Sequence, residues 1–148
     1  MKKSYIILSI SVLSLFTACS KKNDTAPAMN TTTELTATIN GAQQVPANSS
    51  AATGTFAGVF TPGANGTGQL AYTVTYQGIT PSSAHIHLGA PGATGAVAIP
   101  FANLTSPITG PVTLDADQTK ALLNNGMYVN MHLAAYQGGE IRGDIKKK

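Results

Sequence analysis

Three histidines carry the chemical interest of this sequence. Two stand in Ala84-His85-Ile86-His87-Leu88-Gly89 and one in Tyr128-Val129-Asn130-Met131-His132-Leu133. Both stretches read as β-strands, in which successive side chains leave opposite faces. His85 and His87 then emerge together, with Cα atoms ~6.5–7 Å apart, while Ile86 and Leu88 take the other side. By the same alternation Val129, Met131 and Leu133 share an apolar face, and Asn130 and His132 share the polar one. Every imidazole projects away from the apolar core, and the three converge if the two strands are neighbours. Imidazole nitrogens suit Cu, Zn, Ni and Fe. With no thiolate or carboxylate in these stretches, the affinity order favours Cu(II), with zinc behind it. Three protein donors leave one coordination position for water or substrate. Met131 points to the wrong face to complete a blue-copper site. The competing reading is three polar strand residues that hydrogen-bond to loops.

Glu140 and Arg142 stand two apart and share a strand face. They can pair with each other, or Glu140 can orient an imidazole as an acceptor, with Asn130 on the same polar face as His132. The sequence carries no Gly-x-Ser-x-Gly, no His-Glu-x-x-His and no paired-carboxylate arrangement. Asp115 and Asp117 are better explained as helix-start residues. With no catalytic set, the chain reads as a binding module rather than an enzyme.

The elements that must position these residues are short strands. The clearest is 69–76, Gln-Leu-Ala-Tyr-Thr-Val-Thr-Tyr, with Leu70, Tyr72, Val74 and Tyr76 on one face and Gln69, Thr73 and Thr75 on the other. Further strands are expected at 34–39, 54–61, 83–89, 96–101, 108–114, 127–135 and 139–145. Pro62-Gly63-Ala64-Asn65-Gly66 reads as a hairpin loop. Gly89-Ala90-Pro91-Gly92-Ala93-Thr94-Gly95 reads as a longer glycine loop. It is no phosphate cradle, since neither a basic residue nor a helical pattern follows it. One short helix is expected, capped by Asp115 with Gln118 in the reciprocal position, facing the core with Ala121 and Leu122 and ended by Gly126. About eight antiparallel strands and one short helix predict an all-β fold, a Greek-key β-sandwich or flattened barrel.

The first residues read as an address. Lys2 and Lys3 precede the apolar run Tyr5 to Phe16, and small residues Thr17 and Ala18 precede Cys19. That order predicts a secretory signal over 1–18, with an apolar run too short to span a bilayer as a helix. Phe16-Thr17-Ala18-Cys19 resembles a bacterial lipobox, which implies a diacylglyceryl group on Cys19 and anchorage in a lipid bilayer of the cell envelope. Cys19 is the sole cysteine of the chain, so neither an intrachain disulfide nor a thiolate metal site is available. Residues 19–33 read as a lipidated cysteine and flexible tether, 34–145 as the domain and 146–148 as a basic, solvated tail. Between residues 34 and 145, Lys120 and Arg142 face five acidic residues, Glu34, Asp115, Asp117, Glu140 and Asp144. Without a basic face, nucleic-acid binding is excluded.

Five landmarks occur in order over residues 34–145. They are Gly41-Ala42-Gln43-Gln44-Val45-Pro46, Ala52-Thr53-Gly54, Ala84-His85-Ile86-His87-Leu88-Gly89, Gly126-Met127-Tyr128-Val129-Asn130-Met131-His132 and Gly138-Gly139-Glu140-Ile141-Arg142-Gly143. In these the chain resembles the CHRD (chordin) domain family in a bacterial lipoprotein form. The resemblance implies a β domain that binds a partner, here an unknown protein, glycan or metal. A weaker resemblance is to the copper,zinc superoxide dismutase β-barrel. By that likeness His85, His87 and His132 match three copper ligands, which implies a copper-binding or dismutase-like redox protein as the alternative. No further histidine bridges a second metal, no His/Asp cluster serves zinc, and Arg142 does not fall at that family's substrate-steering position.

Overall fold

The computed structural model describes residues 31–148. The apolar alternation read from the sequence becomes nine strands, β1 (Thr33–Asn40), β2 (Thr53–Pro62), β3 (Gly68–Gln77), β4 (Ser83–Leu88), β5 (Val97–Pro100), β6 (Ile108–Leu114), β7 (Met127–Leu133), β8 (Tyr136–Asp144) and β9 (Lys146–Lys147), with one helix, α1 (Ala116–Leu123). Eight strands run in the order β5-β4-β7-β8-β1-β2-β3-β6, and β9 pairs with β1. The sheet is antiparallel and curls into a half-barrel with the single helix, the flattened all-β barrel expected. No described helix is long and apolar enough to cross a membrane.

The inward face is the apolar one. Leu35, Ala37 and Ile39 of β1, Phe56 and Phe60 of β2, and Leu70, Tyr72 and Val74 of β3 are buried in one cluster with Ile86, Val129, Met131 and Ile141. Tyr72 stacks on Phe56, with ring centroids 6.2 Å apart, and tilts against Phe101 at 5.4 Å. Burying side chains of this size contributes roughly 1.5–3 kcal/mol each, the main force that curls the sheet. Tyr76 is only partly buried, and its hydroxyl donates to the Leu104 carbonyl.

Local departures have local causes. The capping box forms as expected, with the Gln118 amide donating to Asp115 Oδ1 at 2.8 Å and the Asp115 amide to Gln118 Oε1 at 3.1 Å. Leu122 is fully buried, Ala121 only partly. The left-handed residue after the helix is Asn125 (φ 56°) rather than Gly126, whose amide instead bonds back to the Ala121 carbonyl. Asparagine tolerates that conformation better than most side chains. The turn between β7 and β8 is shorter than expected, with Ala134 and Ala135 between the strands and β8 starting at Tyr136. Lys146 and Lys147, expected in a solvated tail, pair with Thr36 and Leu35. Their side chains stay exposed, so backbone pairing alone places them, and polarity gave no sign of it. Residues 1–30, which include the expected signal, Cys19 and most of the expected tether, lie outside the described residues.

Candidate metal centre

β4 and β7 are neighbours, and their register sets the site. Ser83 lies opposite His132, His85 opposite Asn130, and His87 opposite Tyr128. Ala84, Ile86, Val129 and Met131 turn into the core, so the three imidazoles share the other face, as alternation requires. Ring centroids are 5.4 Å apart for His85 and His87, 5.2 Å for His85 and His132, and 5.8 Å for His87 and His132.

One nitrogen from each ring lies within 4.8 Å of the others. Any three points so spaced share a centre within about 2.8 Å of each. A contraction of roughly 0.7 Å then reaches imidazole–metal bonds of ~2.0–2.1 Å. The three histidines are close enough to hold a metal.

The hydrogen bonds point the same way. His87 Nδ1 donates to the Gly95 carbonyl at 3.0 Å, and His132 Nδ1 donates to the Gln137 carbonyl at 2.8 Å. A carbonyl oxygen only accepts, so both Nδ1 atoms carry a proton, and in the neutral ring each Nε2 then keeps a lone pair. Those Nε2 atoms are buried without a hydrogen-bond partner, and so is His85 Nδ1. A buried polar atom left unmatched costs roughly 1–3 kcal/mol. One such atom on each of three clustered rings fits a cation that all three can ligate.

Burial and mutual repulsion disfavour the charged form of His85 and His87. Burial lowers the His85 pKa, and the charges of His132 and His87 lower it further. Burial also lowers that of His87, the Gly95 hydrogen bond partly offsets this, and His132 and Arg142 add to the depression. Neutral imidazole is the form that binds a metal.

The face bearing the imidazoles is polar but not open. His87 is only 8% exposed, and Tyr128, Asn130, Glu140 and Arg142 beside it are buried. Residues 41–50 cover one side. Gln44 Nε2 donates to Asn130 Oδ1 at 2.8 Å, Asn130 Nδ2 donates to the Gly138 carbonyl at 3.1 Å, and Asn48 Nδ2 donates to the Glu140 carbonyl at 2.9 Å. Residues 89–95 cover the other side, held by Arg142. Its Nη1 donates to the Ala93 carbonyl at 2.8 Å and its Nη2 to the Ala90 carbonyl at 3.3 Å.

The other site residues fall on this face in different roles. Arg142 and Glu140 do not bond to each other. Arg142 is paired with Asp144 at 2.7 Å, while Glu140 Oε1 accepts from Ser50 Oγ at 2.6 Å and its buried Oε2 has no hydrogen-bond partner. Backbone carbonyls, not Glu140, hold the two fixed imidazoles. Sequence reasoning gave no role to Gln44, Tyr128 or Gly95. Tyr128 shares the parity of Asn130 and His132, which was the available signal. Gln44 lay in a quoted landmark but far along the chain, with nothing local to reveal its partner.

No curated protein and no solved structure matched the chain. The model of the CHRD domain matches residues 35–145, from within β1 to just past the end of β8. That span contains all three histidines, the two covering segments and the strands that place them, and the chain belongs to the CHRD domain family.

Proposed function

We propose that this chain is an exported, membrane-tethered module that binds one first-row transition-metal ion through His85 Nδ1, His87 Nε2 and His132 Nε2, with copper as the preferred ion. The observation that carries the reading is that one nitrogen from each of the three imidazoles lies within 4.8 Å of the others, while each ring also has a buried nitrogen without a hydrogen-bond partner. A donor set of imidazoles alone places Cu(II) above Zn(II) in affinity. The CHRD family supports a binding role, and the absence of a recognised catalytic motif leaves binding as the simplest one.

Export and anchorage rest on the sequence. The charged start, apolar run and small residues before Cys19 support a secreted lipoprotein of a bacterial cell envelope, held to a bilayer by acyl chains on that cysteine. A second reading, a redox protein, draws on the fourth coordination position that three protein donors leave. It predicts redox turnover that disappears in His132→Ala.

The test is metal titration of the purified chain, with bound copper and zinc counted after desalting. One copper per chain is expected, lost in His85→Ala while the thermal melt of the metal-free protein stays cooperative. Equal copper content in the parent chain and in His85→Ala would overturn the reading.

A further inference from the structure

The Gly95 carbonyl holds one nitrogen of His87, but a single hydrogen bond does not by itself fix the plane of the ring. Behind it stands a layered assembly. The Tyr128 ring lies nearly parallel to the His87 ring, with centroids 5.0 Å apart and planes 13° apart. The guanidinium carbon of Arg142 sits 3.6 Å from the Tyr128 ring centroid. Arg142 is fully buried, and its position is fixed by Asp144 and by the carbonyls of Ala90 and Ala93.

The layers meet again at one residue, Gly95. The Gly95 amide donates to the Tyr128 hydroxyl at 3.2 Å, and the Gly95 carbonyl accepts from His87 Nδ1 at 3.0 Å. Tyr128 thus holds the residue that holds His87, and also stacks on the imidazole itself. The backbone must come very close here. A Cβ built on Gly95 would lie 1.7 Å from the Leu88 carbonyl oxygen, so only glycine fits without moving the strand. Arg142 ties down the same loop at Ala90 and Ala93, so the loop cannot drift away from the imidazole.

We infer that Tyr128 is the positioning residue of the metal centre, clamped by Arg142 and acting through Gly95 to fix the His87 ring with Nε2 turned toward the metal. This rests on the metal reading above. His132 is held separately by the Gln137 carbonyl, and His85 Nδ1 has no hydrogen-bond partner among the described residues. The clamp therefore acts on one ligand of the three.

Tyr128→Phe in the full chain separates this role from general packing. It keeps the ring between Arg142 and His87 and removes only the oxygen that accepts from Gly95. Two readouts are taken. Long-range proton–nitrogen NMR of the metal-free protein reports the tautomer of each histidine, and competition with a copper chelator reports affinity. In the parent chain His87 is expected as a single Nδ1–H tautomer. In Tyr128→Phe it becomes a mixture, His132 keeps its tautomer, and one copper still binds with affinity reduced about ten- to hundredfold. Tyr128→Leu, which also removes the stack, lowers affinity further.

An unchanged His87 tautomer in Tyr128→Phe would overturn the proposal, as would an unchanged copper affinity. If the parent chain binds no copper, the metal reading falls. The tautomer shift in the metal-free protein still decides whether the clamp exists.

Discussion

Gly138 and Gly139 are adjacent, and the structure assigns them opposite sensitivities to the same change. Gly139 has φ +110°, a region that L side chains rarely adopt, whereas a Cβ on Gly138 would meet nothing within 4 Å. A Cβ on Gly139 would lie 2.2 Å from Asn130 Oδ1 and 2.3 Å from Gln44 Nε2. It would occupy the place of the buried 2.8 Å hydrogen bond between those two groups. In Gly139→Ala the backbone strain costs roughly 1–2 kcal/mol. Separating the buried amides costs about 1–3 kcal/mol more. Together these give a loss of about 2–5 kcal/mol. The family match spans residues 35–145, and for a domain of that size each kcal/mol lowers the midpoint by about 4 °C. The expected fall is therefore about 8–20 °C in Gly139→Ala, against less than about 2 °C in Gly138→Ala, where a surface change away from special geometry stays within ±0.5 kcal/mol. Thermal unfolding followed by circular dichroism measures both. Equal melting points in the two variants would refute the account of how residues 41–50 are fastened over the site. Because Asn130 lies opposite His85 in register, Gly139→Ala should also weaken copper binding, and Gly138→Ala should not.

Three further outcomes follow from other parts of the molecule. His85 and His87 have pKa values lowered below the ordinary 6.5 in the folded protein. The unfolded chain therefore binds protons first as the pH falls. Metal-free stability should decline from about pH 6.5 down to the depressed folded values, and denaturant melts of His85→Asn should show a shallower decline. Asp115→Ala removes the side-chain half of the capping box and should cost about 1 kcal/mol, with copper stoichiometry unchanged when both are measured on one preparation. Cys19→Ser should abolish acylation, and mass spectrometry of the N-terminal peptide together with membrane fractionation would show it. An unmodified Cys19 in the parent chain would end the tether reading.

Much of the site was legible before any fold was known, and the reason is local. In an extended chain the side of each side chain follows from its neighbours, so His85, His87 and His132 had to stand opposite Ile86, Val129 and Met131. The capping box at Asp115 and Gln118 was readable because its partners are three residues apart. What escaped notice was long-range. Gln44 meets Asn130 across 86 residues, and Ser50 meets Glu140 across 90. No spacing rule connects such positions. Arg142 and Glu140 share a face, which suggested a pair. The charge nearest the guanidinium proved to be Asp144, also two residues away. Alternation ranks these two carboxylates equally, and only the placement of Ser50 and of residues 89–95 separates them.

The sequence alone determined the strands, the apolar side of each and the chemical character of the opposite side, because these depend on backbone geometry over a few residues. Tertiary structure decided which strands are neighbours, and so whether three imidazoles meet. It also decided that the polar side would be roofed by residues 41–50 and 89–95. Burial under that roof fixes two tautomers through backbone carbonyls and leaves three nitrogens without partners. A polar residue on an open strand face would have water for a partner. The same residue beneath a covering loop has only what the fold supplies, and no reading of the strand by itself could say which case applied.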